Sequence, residues 1–127
     1  TTGNPDAHLI LRGGKSGPNF SRDNVDAARE ALEKVGIPPS IVVDCSHGNS
    51  EKIPERQVEV VRDILTQREQ APSPLVGFML ESNLESGCQA PKPRGQGLKY
   101  GVSVTDPCIN WPETAEILNE VYRRNPL

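Results

Sequence analysis

The chain has 127 residues, a net charge of -3, and 35% apolar, 4% aromatic and 24% charged residues. That length suits one core and leaves little room for two, and the composition is neither that of a disordered tail nor that of a membrane protein. With no basic stripe and no interleaved aromatics, a nucleic-acid or membrane-surface partner has no electrostatic support.

The N-terminal Thr1-Thr2-Gly3-Asn4-Pro5 lacks the charged and apolar regions of a signal peptide, so the expected location is cytoplasmic. His8-Leu9-Ile10-Leu11-Arg12 is a short apolar run ended by Gly13-Gly14, which predicts a first strand over 7–12. Ser21 is a candidate N-cap, and Val25, Ala28, Leu32 and Val35 fall at helical spacing until Gly36 and Pro38, giving a helix from about 22 to 35. A second strand follows at Ser40-Ile41-Val42-Val43-Asp44-Cys45, and a second helix, with the stripe Val58, Val61, Ile64 and Leu65, starts near Pro54. Leu75-Val76-Gly77-Phe78-Met79-Leu80 reads as the third strand, and Pro112 at N1 opens the last helix. Between these two lies a long loop, 82–110, rich in Gly and Pro, and such composition favours mobility. Three successive β-then-α units imply an α/β fold with parallel strands and right-handed crossovers. The chain is read as one unit, and since three helices cannot both flank and close a sheet whose strands are apolar on both faces, either a partner extends the sheet or the chain is part of something larger.

Cys45, Cys88 and Cys108 are an odd number without CxxC spacing, so they are expected to be free thiols. The polar residues at the strand ends carry more information. Arg12, His47 and Glu81 each end a predicted strand, at intervals of 35 and 34 residues. Ligands of parallel α/β folds bind at the carboxyl ends of the strands, so the three are expected on one rim. Strand alternation puts Ile10 with Arg12, Val43 and Cys45 with His47, and Gly77 and Met79 with Glu81. His and Glu with Asp106 nearby form a candidate metal set, against plainer readings as a satisfied histidine, a strand emerging into solvent and a turn residue before Pro107. Arg12-Gly13-Gly14-Lys15 suits a phosphate, or else is a Gly-Gly turn between solvated charges. A Cys45/His47 nucleophile pair is disfavoured, since residues two apart on a strand point in parallel. Asp44 and Ser46 are placed on the opposite face, with no chemical role.

The ordered combination Leu11-Arg12-Gly13-Gly14-Lys15, Asp44-Cys45-Ser46-His47-Gly48-Asn49-Ser50, Met79-Leu80-Glu81-Ser82-Asn83-Leu84 and Ser103-Val104-Thr105-Asp106-Pro107-Cys108-Ile109 closely resembles the C-terminal third of the type I 3-deoxy-D-arabino-heptulosonate 7-phosphate (DAHP) synthases. The resemblance implies strands six to eight of a (β/α)8 TIM barrel, so that 1–127 is a single partial domain, the C-terminal segment of that barrel. It implies a metal-dependent condensation of phosphoenolpyruvate with erythrose 4-phosphate at the entry to the shikimate pathway, which feeds aromatic amino acid biosynthesis. Carried over by motif, Arg12 would contact the phosphate of phosphoenolpyruvate. His47, Glu81 and Asp106 would ligate a divalent Mn, Fe, Co or Zn ion, with His47 also the candidate catalytic residue beside phosphoenolpyruvate.

The family's cysteine ligand and its remaining phosphate-binding groups have no counterpart in this sequence. The chain is therefore expected to be a segment of such an enzyme, inactive alone and prone to self-association through open sheet edges. Two other readings stand beside it: a small stand-alone metal-dependent hydrolase, and a non-catalytic binding or complementation fragment.

Overall fold

The computed structural model describes residues 2–4, 6–70 and 72–124. Thr1 and Pro5, from the stretch read for a signal peptide, lie outside the described residues. The elements run β1 (Leu9–Leu11), α1 (Arg22–Lys34), β2 (Ile41–Asp44), α2 (Arg56–Glu69), β3 (Leu75–Met79) and α3 (Trp111–Arg124), with one short 3-10 turn, Pro93–Gly95, before α3. The strands form a parallel sheet in the order β1-β2-β3, so each helix is a crossover or follows the last strand. This is the predicted α/β arrangement of three consecutive βα units.

Local chemistry sets the helix ends. Ser21 is the N-cap of α1, but its hydroxyl accepts from the Asn24 side-chain amide at 2.7 Å instead of capping a backbone N–H. At the other end, Gly36 in the left-handed region lets its own N–H reach Glu33 and that of Ile37 reach Leu32, which satisfies the last carbonyls. A tight turn in which the Gln57 N–H reaches the Pro54 carbonyl leads into α2. Pro112 is the second residue of α3, one place later than the sequence suggested. Asn110 is the cap: its Oδ1 accepts from the Glu113 N–H, and Glu113 Oε2 accepts from the Asn110 N–H.

The helices cover one face of the sheet. Leu11, Ile41, Val43 and Cys45 pack with Val25 of α1, Val60, Val61 and Ile64 of α2, and Ile117 of α3. The opposite face carries Ile10, which is 53% exposed. No helix among the described residues is long and apolar enough to cross a membrane.

The register corrects one expectation. Leu11 pairs with Val43, which pairs in turn with Phe78, while Ile10 pairs with Val42, which pairs with Gly77. Paired residues of a parallel ladder share a face, so Val43 and Cys45 lie on the helix side, opposite Ile10 and Arg12, and Asp44 lies with Arg12. The predicted grouping of Val43 and Cys45 with His47 extended the alternation past Asp44. The chain instead turns through Ser46 and His47, whose φ of 44° brings the imidazole back to the open side.

The Gly- and Pro-rich segment after β3 is tied to the framework by hydrogen bonds. Gly87 and Cys108 exchange two backbone bonds, the Gln89 N–H reaches Ser103, and Ile109 bonds Glu81 and Asn83 on either side of Ser82. These pairings return residues 103–109 to the end of β3 and so bring Asp106 to the rim.

Candidate metal centre

The ends of β1 and β2 approach closely enough that only glycine fits at their contact. A Cβ on Gly13, whose φ is +77°, would lie 2.6 Å from the carbonyl carbon of Gly48. Buried Asn49 locks the approach: its Nδ2 donates to the carbonyls of Leu11 at 3.0 Å and Asp44 at 2.8 Å, and its Oδ1 accepts from the Asn19 N–H. Asn19 in turn accepts from the Gly13 N–H at 2.7 Å. The two loops that carry Arg12 and His47 are thus one hydrogen-bonded unit.

On this frame His47, Glu81 and Asp106 each offer a ligand atom, and these atoms lie within 4.8 Å of one another. His47 Nε2 is 3.6 Å from Asp106 Oδ2 and 3.9 Å from Glu81 Oε1. On the other side of the ring, Nδ1 lies 2.7 Å from Oδ2 of buried Asp44, whose first oxygen accepts from the Ser46 N–H. A carboxylate only accepts, so Nδ1 carries the hydrogen, and in the neutral ring the Nε2 lone pair faces Glu81 and Asp106. Two carboxylate oxygens held this close repel unless a cation or a proton lies between them. With a neutral imidazole nitrogen they form a donor set suited to a divalent cation of borderline character.

Arg12 does not join that cluster directly. Its guanidinium is exposed, with Nε 3.6 Å from Asp44 Oδ2, so Asp44 bridges it to His47. Arg12, Gly13, Gly14, Lys15, Lys52, His47 and Asp106 line an open pocket of about 390 Å³. Three cations beside the carboxylates make one rim that suits an anion next to a metal. The apolar groove lined by Ile64, Leu65, Val76 and Phe78 lies along β3 and carries no metal-ligating group.

Cys45 is fully buried among the core residues, and burial pushes its thiol well above the ordinary range, with nearby Asp44 adding to the effect. It is a packed core thiol. Cys88 is exposed and Cys108 buried, and all three cysteines are free.

Asp44, Asn49 and Gln57 are the residues that sequence reasoning did not assign. Asp44 could have been found from the pairing of Leu11 with Val43, which places Arg12 and Asp44 side by side, had the strand register been known.

Residues 1–119 match the model of the DAHP synthetase I family. The chain is 44% identical over 123 residues to the Tyr-sensitive phospho-2-dehydro-3-deoxyheptonate aldolase of Escherichia coli K12, covering 97% of this chain and 34% of that protein. It is 48% identical over 122 residues to a putative phospho-2-dehydro-3-deoxyheptonate aldolase of Schizosaccharomyces pombe, covering 95% of this chain and 33% of that one. A solved structure of the Francisella tularensis phospho-2-dehydro-3-deoxyheptonate aldolase superimposes with a TM-score of 0.90 at 42% identity, covering 98% of this chain and 36% of that one. The chain therefore spans about a third of the length of these relatives. With its three parallel βα units and its rim of strand-end residues, it belongs to the DAHP synthetase I family.

Proposed function

We propose that this chain forms part of the active-site rim of a DAHP synthase, a transferase that joins phosphoenolpyruvate to erythrose 4-phosphate and releases phosphate at the entry to the shikimate pathway. The observation that carries the reading is the convergence of His47, Glu81 and Asp106 in a chain of this family. These three are read as ligands of one divalent Mn, Fe, Co or Zn ion, which when bound would supply Lewis acidity toward the aldehyde oxygen of erythrose 4-phosphate. His47 presents Nε2 to that centre because Asp44 holds its other nitrogen. Arg12 is read as the phosphate-binding group for phosphoenolpyruvate, since a guanidinium offers paired donors and Lys15 and Lys52 add charge to the same pocket. Pairing with Asp44 keeps Arg12 beside His47, so the phosphate would be held next to the imidazole.

The relatives are about three times as long, so the other substrate-binding groups are assigned to segments that the relatives have and this chain does not match. The 127 residues alone are then inactive, as part of a single incomplete domain. The backbone edges of β1 and β3 would pair with those segments, or with another copy, and a clean monomer in sedimentation would count against this. The enzyme acts in the cytoplasm in this reading.

The test is DAHP formation and phosphate release with added Mn(II), by the chain alone and by the chain mixed with the unmatched part of a relative. Turnover by the mixture only is expected. Turnover by the chain alone would show that the missing groups are unnecessary, and hydrolysis of a generic phosphoester by the metal-loaded chain would favour a hydrolase.

A further inference from the structure

The ladder between β2 and β3 ends where the Cys45 N–H meets the Met79 carbonyl. Glu81 lies two residues further on, where no strand remains to hold its backbone. A side chain takes that place. Gln57, in the first turn of α2 and fully buried, accepts from the Glu81 N–H through Oε1 at 2.8 Å and donates from Nε2 to the Glu81 carbonyl at 3.1 Å. One amide thus engages both backbone groups of one residue, as a neighbouring strand would. The same carbonyl also accepts from the Ile109 N–H at 3.0 Å, and Ile109 is buried three residues past Asp106.

A primary amide inside an apolar helix-sheet interface is costly unless its polar atoms are bonded. Gln57 is fully buried in the first turn of α2, the helix that packs Val60, Val61 and Ile64 into the core, and both ends of its amide are spent on Glu81. A requirement for packing alone would be met by an aliphatic side chain of the same volume. What the amide adds is a fixed backbone at the residue whose carboxylate meets His47 and Asp106.

We infer that Gln57 is a positioning residue of the metal centre, holding Glu81 directly and, through the shared carbonyl, the segment that carries Asp106. This rests on the reading of His47, Glu81 and Asp106 as metal ligands.

The test is Co(II) titration of the chain and of three variants, followed by the visible absorption of the bound ion, with amide hydrogen exchange at Glu81 measured on metal-free protein. Gln57→Met removes both bonds at nearly constant volume. It is expected to weaken Co(II) binding about ten-fold or more, the usual consequence of losing a group that orients a ligand, and to speed exchange at Glu81. Val60→Ala, in the same helix and equally buried, is expected to lower Tm while leaving Co(II) affinity unchanged. Glu81→Gln is expected to weaken binding at least as much as Gln57→Met. Unchanged affinity in Gln57→Met, with a loss in Glu81→Gln, would overturn the role of Gln57 and leave the metal centre standing. Unchanged affinity in Glu81→Gln, or no binding by the parent chain, would overturn the metal centre and the inference with it. Should Gln57→Met fail to fold, Gln57→Glu keeps the bond to the Glu81 N–H but sets an oxygen against the carbonyl. It is expected to lose affinity, and unchanged affinity there overturns the proposal equally.

Discussion

Asp44 Oδ2 lies 2.7 Å from His47 Nδ1 and 3.6 Å from Arg12 Nε, so one buried carboxylate orients the imidazole and anchors the guanidinium. It is the shared support of a proposed metal ligand and a proposed phosphate-binding group.

Asp44→Asn tests that support. The amide nitrogen can donate to Nδ1, which would move the imidazole hydrogen to Nε2 and remove the lone pair facing Glu81 and Asp106. Divalent-metal affinity should fall by about 10–100-fold, as for other groups that orient a metal-bound histidine. Isothermal titration with Mn(II) reads the loss, and unchanged affinity would show that the tautomer does not matter.

The approach of the two rim loops predicts an asymmetry between adjacent glycines. Gly13→Ala forces a positive φ on alanine and drives its Cβ into the Gly48 backbone, so urea unfolding should show a loss of about 1–3 kcal/mol. Gly14 has open space at its Cβ position and no positive φ, so Gly14→Ala should leave stability nearly unchanged. Equal effects at the two positions would contradict the close approach.

Thiol reactivity should separate the cysteines. In the native chain iodoacetamide should label exposed Cys88, while Cys45 and Cys108, both buried and both pushed up by burial, should react only after denaturation. Mass spectrometry of the labelled peptides decides it, and fast labelling of Cys45 would place it outside the core. The sign of the pH effect follows from the same burial. The Cys45 thiol stays protonated in the fold but ionises at its ordinary value of 9.0 when unfolded, so its contribution to stability is present below pH 9.0 and is lost as pH rises above it.

The order of strands and helices was legible because each strand is a short β-branched or aliphatic run and each helix carries a stripe at helical spacing, as Val58, Val61, Ile64 and Leu65 do. Arg12, His47, Glu81 and Asp106 were legible as polar residues at strand ends and in the matching motifs, and the structure draws the last three together. The side chains that support them were not. Asp44 was assigned to the wrong face because alternation was carried through a turn in which His47 takes a positive φ. Gln57 reads in sequence as an ordinary polar residue early in a helix, and only the packing of α2 on β3 aims its amide at Glu81. The course of 82–110 was not legible, because the backbone pairings of Gly87 with Cys108 and Ile109 with Glu81 join residues too distant in sequence for local patterns to reveal.

The central claim is that His47, Glu81 and Asp106 hold one divalent cation. It is tested most directly by titrating Mn(II) into the chain and following the loss of the free-ion signal by electron paramagnetic resonance, for the parent and for His47→Ala, Glu81→Gln and Asp106→Asn. Saturation at one ion per chain, weakened by each of the three substitutions while far-UV circular dichroism stays unchanged, is the predicted result. Binding that survives all three, or a parent chain that leaves the free-ion signal untouched, would contradict it.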